Sequence, residues 1–254
     1  MLLVIDCGNT NIVLGLYDGE RLVHHFRIST RRHATSDEYG TQILALVRHW
    51  NVDPHTVHGG IIASVVPQLN RALTGACERY FGWVPLLVGP GMKTGMPILI
   101  DNPAEVGADR IVNAVAAWHR HRQALIVVDF GTATNFDVVS PKGEYLGGAI
   151  AAGVDISIDA LFARAAKLPR IEMKPPPRVI GKNTVGALQS GLFYGYVGLV
   201  DELVTRMREE LGGEARVIGT GGLASLFMGV SRTLDELDEH LTLDGLRILH
   251  SMNV

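Results

Sequence analysis

Apolar positions along the chain recur with two periods, and the switches between them outline the fold. Residues 2–7, 12–17 and 21–28 read as three antiparallel strands. Residues 8–11 and the pair Asp18-Gly19 supply the turns, and Asp-Gly between strands is a strong hairpin signal. A polar loop, 29–36, follows. Thr35-Ser36-Asp37-Glu38 is suited to cap a helix over 38–50, where Ile43, Leu44, Val47 and Trp50 recur at helical spacing. Residues 60–65 predict a short buried strand, 68–81 a helix opened by Ser64 and Pro67, and 85–88 another strand. The order βββ-α-β-α-β suits a mixed sheet with helices on its faces.

Residues 90–103 are broken by Gly91, Gly95, Pro97 and Pro103 and read as loop. A helix opening at Glu105 and reaching about His121 carries Ile111, Ala114, Val115 and Trp118 on one face. The first pattern then starts again. Leu3-Val4-Ile5-Asp6-Cys7-Gly8-Asn9-Thr10 is echoed by Ile126-Val127-Val128-Asp129-Phe130-Gly131-Thr132-Ala133, and Gly19-Glu20 by Gly143-Glu144 after a one-residue shift. An internal repeat implies one structural unit used twice. Beyond it, 147–153 reads as a flexible, close-packing glycine segment, 155–166 as a helix, and 169–178, with Pro175-Pro176-Pro177, as an exposed extended loop. A long helix over 184–211 places Ala187, Gly191, Gly195 and Gly198 along one face. Residues 216–218 predict a strand, followed by Gly219-Thr220-Gly221-Gly222 and a further helix. The last helix, within 238–252, is able to pack back on the first half. The expectation is an α/β chain of two mixed-sheet domains with flanking helices, 1–120 and 121–254.

Composition narrows the function classes. A hydrophobic content of 47% is enough for a real core, and a net charge of −3 leaves no electrostatic footprint for nucleic acid or an anionic membrane. Arg31-Arg32 and residues 120–122 read as solvated surface. No basic leader precedes the apolar start, and no stretch approaches the ~20 apolar residues of a spanning helix. A cytoplasmic protein is expected. Cys7 and Cys77 lack metal-ligand spacing, and Cys7 reads as a small hydrophobe at a strand end. The histidine pairs 24/25, 55/58 and 119/121 have no acidic or cysteine partners at ligand spacing.

The repeated turns carry the chemistry. Glycine at a strand end lets the chain turn and brings backbone N–H groups close to an anion. Asn9, Thr10, Asn11, Thr132 and Thr134 add small donors. An aspartate just before each glycine would repel phosphate unless a cation lies between them, so the pattern predicts nucleotide phosphates with a metal ion. A single Asp-x-Gly is an ordinary β-turn. Two in register, with Gly219-Thr220-Gly221-Gly222 as a place for backbone to approach a nucleoside, are not.

This set resembles the phosphate 1, phosphate 2 and adenosine motifs of the sugar-kinase/Hsp70/actin superfamily. It implies a duplicated ribonuclease-H-like (actin-like ATPase) fold. Within it the chain resembles the type III pantothenate kinase family. The resembling residues are Asp6-Cys7-Gly8-Asn9-Thr10-Asn11, Thr94-Gly95, Asp101-Asn102-Pro103, Gly107-Ala108-Asp109-Arg110 with Asn113-Ala114, Asp129-Phe130-Gly131-Thr132-Ala133 and Gly147-Gly148. The resemblance implies ATP-dependent phosphorylation of the primary hydroxyl of pantothenate, the first step towards coenzyme A. It assigns ATP phosphates to Asp6, Cys7, Gly8, Asn9, Thr10, Asn11, Ile12, Val13 and Thr132. It assigns pantothenate to Gly107, Ala108, Asp109, Arg110 and Thr184, the last acting from the partner subunit of a homodimer. Asp129 is similar to the family's ligand for a monovalent cation, potassium or ammonium, and magnesium accompanies ATP. The family's aromatic residue before Asp-Asn-Pro is replaced here by Ile100.

The residues themselves make Asp109 the natural general base. It stands at a helix start beside Arg110, and both the helix end and Arg110 are expected to keep it ionised. Its alternative is a helix N-terminal residue paired with Arg110. Two competing functions remain: another small-molecule kinase such as a sugar kinase, which a substrate panel separates, and a non-catalytic accessory factor in transcription, against which the intact Asp6, Asp109 and Asp129 speak.

Overall fold

Strand β1 (Leu2–Cys7) is apolar on both faces and buried along most of its length, so it is flanked on both sides. It pairs antiparallel with β2 (Asn11–Asp18) and parallel with β4 (Gly59–Ser64). β3 (Arg21–Ser29) and β5 (Leu86–Leu87) form the edges, giving the order β3-β2-β1-β4-β5. β6 (Leu125–Phe130) has the same role in a second sheet. It pairs antiparallel with β7 (Ala133–Val139) and parallel with β9 (Arg216–Thr220), and β8 (Tyr145–Ala152) and β10 (Glu236–Leu237) complete the order β8-β7-β6-β9-β10. The strand roles and directions coincide in the two sheets, the mark of a duplicated α/β fold. The computed structural model describes residues 1–165 and 168–254.

The chain divides into two compact units: residues 1–95, 102–116 and 241–254, and residues 96–101 and 117–240. In the first unit α1 (Ser36–His49) and α2 (Pro67–Phe81) pack together, and Tyr39, Ile43, Val47, Leu69 and Leu73 join Leu3, Ile5, Leu14 and Leu16 in one core. Thr35 and Glu38 form a reciprocal capping box at the start of α1. In the second unit Ile126, Val128, Phe130 and Phe136 form a core with Phe193, Tyr196, Val200 and Val204 of α5 (Thr184–Leu211). Phe130 stacks on Phe227 of the short α6 (Ala224–Phe227) at 4.7 Å between ring centroids. Among the described residues, no helix is long and apolar enough to cross a membrane.

One expectation needs correction, and two are refined. The glycine segment 147–153 is not a flexible connector: residues 145–152 form β8, paired with β7. Gly148 is required there because a Cβ would lie 1.7 Å from the Phe136 carbonyl oxygen. The loop 90–103 is partly ordered by β8, since Ile98 bridges to Tyr145 and Leu99 N–H donates to Tyr145 O at 2.8 Å. The helix expected over 155–166 is α4 (Val154–Arg164), and Ala166 lies outside the described residues.

α3 (Ala108–His121) and α7 (Leu241–Asn253) meet within the first unit. Gly245 sits in the middle of α7, where glycine costs helix stability. Its reason is steric: a Cβ would lie 2.2 Å from the Val112 carbonyl oxygen on α3. Thr242 Oγ1 donates to Asn113 Oδ1 at 2.7 Å, and Tyr17 OH donates to Asp244 at 2.6 Å, tying α7 to both α3 and β2. Gly245→Ala is expected to destabilise the protein by about 1–3 kcal/mol, the usual cost of overpacking, despite its better helix propensity. A urea midpoint equal to or above that of wild type would contradict this contact.

Candidate active site

In the first unit β1 ends at Asp6, Cys7 and Gly8. Asp6 lies opposite Val13 on β2 and beside Ala63 on β4. Asp6 is half-buried, and Cys7, opposite Ile12, is buried. Burial pushes the Cys7 thiol up to about 11, so it stays protonated and is no nucleophile at neutral pH. The turn is closed by Gly8 N–H donating to Asn11 O at 3.0 Å.

The chain comes back to this turn after β3. Thr30 N–H donates to Thr10 O at 2.9 Å, and Thr30 Oγ1 donates to Gly8 O at 2.7 Å. Arg32 Nη2 donates to Asn9 Oδ1 at 3.3 Å. The sequence reading of Arg31-Arg32 as solvated surface missed this contact, because only the tertiary return of the loop brings it about.

Residues 107–110 form the start of α3. The Gly107 carbonyl accepts from the amides of Arg110 at 3.2 Å and Ile111 at 3.4 Å, and Asp109 Oδ1 accepts from Arg110 N–H at 2.9 Å. A Cβ on Gly107 would lie 2.6 Å from Asp109 Oδ1, so the segment closes tightly around this carboxylate. The direction of its proton affinity departs from expectation. Burial raises the Asp109 carboxyl above its ordinary value, outweighing the Arg110 amide and the Arg110 charge, which pull it down. Just before α3, Asn102 Oδ1 accepts from Ala104 N–H and its amide donates to Glu105 Oε1 at 2.7 Å, ordering the Asn-Pro turn.

In the second unit β6 carries Asp129 opposite Asn135 and beside Thr220, the last residue of β9. Gly131 N–H donates to Ala133 O at 3.0 Å, closing a turn one residue shorter than its counterpart. Gly221, with φ +90°, packs so closely that a Cβ would lie 2.5 Å from Asp129 Oδ1. Gly153, which precedes α4, comes against the Thr132 carbonyl oxygen, 2.0 Å from where a Cβ would be. Ile100 lies against Gly147 of β8.

The structure thus gathers Gly107, Ala108, Asp109 and Arg110 at one helix start, and Asp129, Gly131 and Gly221 around one carboxylate. Thr184 is the exposed first residue of α5, behind Asn183, whose side chain accepts from Gly186 N–H at 2.8 Å. Among the described residues, no three His, Cys, Asp or Glu side chains converge to hold a metal ion.

The type III pantothenate kinase family model matches residues 2–206. The chain belongs to the type III pantothenate kinase family. It is 60% identical over 253 residues to the type III pantothenate kinase of Anaeromyxobacter sp. (strain Fw109-5), covering 100% of both chains. It is 56% identical to that of Myxococcus xanthus, covering 100% of this chain and 99% of the other. Solved structures show the fold at much lower identity. A Campylobacter jejuni protein assigned to the Baf family of transcriptional activators superposes with a TM-score of 0.61 at 16% identity, covering 98% of this chain and 97% of that one. The inorganic polyphosphate/ATP-glucomannokinase of Arthrobacter sp. strain KM superposes with a TM-score of 0.50 at 13% identity, covering 97% and 96%. The fold is that of the sugar kinases and actin-like ATPases.

A raised carboxyl disfavours the charged form on folding, so its contribution to stability has a definite sign. It is fully present below the unfolded pKa and is lost as pH rises through the folded one. Asp109→Asn keeps an oxygen to accept from Arg110 N–H and removes the buried charge. The variant is therefore expected to melt at or above the wild-type temperature at neutral pH, with the advantage shrinking in acidic buffer. Thermal denaturation of both proteins at the two pH values checks it.

Proposed function

We propose that this chain transfers the γ-phosphoryl group of ATP to the primary hydroxyl of pantothenate, giving 4′-phosphopantothenate, the first step of coenzyme A synthesis. The observation that carries the mechanism is the Asp109 carboxylate, held at the start of α3 with its proton affinity raised by burial. A general base works best when its pKa is drawn towards the working pH, and burial moves Asp109 in that direction. Asp109 takes the proton of the substrate hydroxyl, the hydroxyl oxygen attacks the γ-phosphorus, and the bond to the ADP oxygen breaks. The remaining requirement is positioning and charge neutralisation.

Arg110 pairs with the pantothenate carboxylate, for which a guanidinium fork is well matched. Residues 6–13 hold the ATP phosphates from the first hairpin and Thr132 from the second. Magnesium arrives with the nucleotide. Asp129 would hold potassium or ammonium, which would supply positive charge beside the phosphates. Thr184, exposed on the single chain, completes the pantothenate pocket of a partner subunit in a homodimer. The reaction is placed in the cytoplasm, with no nucleic-acid partner.

ADP release is expected with pantothenate, rising when potassium or ammonium is added. Asp109→Asn is expected to lower kcat by roughly 10²–10⁴-fold, the range of general-base contributions. Turnover of a sugar in place of pantothenate, in any salt, would overturn the substrate. Cation-independent turnover in an Asp129→Asn variant matching wild type would overturn the cation's place.

A further inference from the structure

The first hairpin faces an electrostatic problem that its own residues do not solve. Residues 6–13 include Asp6 and neither Lys nor Arg. A triphosphate held there meets a carboxylate and backbone amides but no cationic side chain of the turn. We infer that Arg32 is a nucleotide-binding residue, whose guanidinium neutralises the phosphate chain held by the turn at residues 8–11.

The loop that carries Arg32 is fixed at both ends. On one side Thr30 is bonded to the Gly8 and Thr10 carbonyls, which commits both oxygens to the loop rather than to the phosphate side of the turn. On the other, Arg31 is bonded to Tyr39 through its own amide and carbonyl, both at 3.0 Å, and its side chain reaches Glu38 and Gln42 of α1. Ala34 is buried and its N–H closes a turn on Arg31 O at 3.0 Å. Arg32 is thus at the crest of a tethered turn, exposed, with one N–H on the Asn9 side chain. A guanidinium has five donors in a planar fork, so the others among the described contacts remain for a phosphate. The two neighbouring arginines are divided in role: Arg31 ties the loop to α1, and Arg32 serves the turn.

The repeat supports the same reading. Ser29 pairs with Asn11 at the end of β3, and Ala152 pairs with Ala133 at the end of β8. The next residues, Thr30 and Gly153, both press on the carbonyls of their phosphate turns. After Gly153 the second copy enters α4, whose first turn presents the positive end of a helix dipole. The first copy has a loop instead of a helix at this place, and there the positive charge comes from Arg32.

The inference rests on the first hairpin holding ATP phosphates. The test is calorimetric titration of wild type, Arg32→Gln and Arg32→Lys with magnesium-ATP and with adenosine at low and moderate salt. Arg32→Gln is expected to weaken ATP binding roughly tenfold, the scale of one charged hydrogen-bonding group, and to flatten its salt dependence. Adenosine binding should be unchanged, and Arg32→Lys should recover part of the affinity. Arg32 is exposed, so folding is unaffected, and melting curves verify it. If Arg32→Gln binds ATP as tightly as wild type, the role of Arg32 is refuted while the hairpin reading stands. If wild type binds ATP no more tightly than adenosine, the hairpin holds no phosphate and both fall.

Discussion

Each sheet is built on a strand that is buried on both faces and ends in a carboxylate. β1 and β6 run through apolar surroundings up to Asp6 and Asp129, both half-buried. A carboxylate at the end of such a strand is costly unless donors or cations meet it. The structure answers with glycine immediately beyond, letting backbone approach where side chains would crowd. At Asp129 the approach is tightest, with Gly221 needing both a positive φ and no Cβ. On the proposed reading, a cation accompanying the nucleotide would offset the charge that folding leaves at these strand ends.

Asp109 is treated differently from the strand-end carboxylates. Asp109 lies on a helix start, where the peptide dipole and Arg110 would hold it ionised if they acted alone. Burial acts the other way and wins. The helix is held from behind by α7, through the Gly245–Val112 contact and the Thr242–Asn113 hydrogen bond. A carboxylate with raised proton affinity on a braced helix is a poor contributor to stability at neutral pH and a good proton acceptor. On the proposed reading, stability is given up at the position where proton transfer would require it.

What was legible in the sequence follows from what is local. The hairpins, the capping box at Thr35 and Glu38 and the extent of α5 depend on residues close in the chain, and their patterns predict them. β8 was misread because Gly147 and Gly148 look like loop, whereas their glycines are demanded by the neighbouring β7 backbone. β10, two residues paired to β9, has too little pattern of its own to be visible. Around the candidate site, the turns and the start of α3 could be found from their motifs. The raised proton affinity of Asp109 could not, because burial belongs to the fold rather than to the segment. Nor could the contact of Arg32 with Asn9, 23 positions away in the chain.

Duplication explains why the two halves share a frame and differ in its fittings. Sheet order, strand direction and the press of the chain on each Asp-x-Gly turn are common to both, since they follow from packing a hairpin beside a parallel crossover. Divergence is confined to what comes next. One copy continues from the brace into a loop with two arginines, and the other into the helix α4. The two solutions have opposite consequences for adjustability. A helix end offers fixed backbone dipoles, whereas a guanidinium on a tethered loop offers a full charge that can be removed by one substitution without disturbing the strands. If Arg32 serves the nucleotide as proposed, affinity would be tuned at the first turn, while the second is bound to the architecture of its sheet.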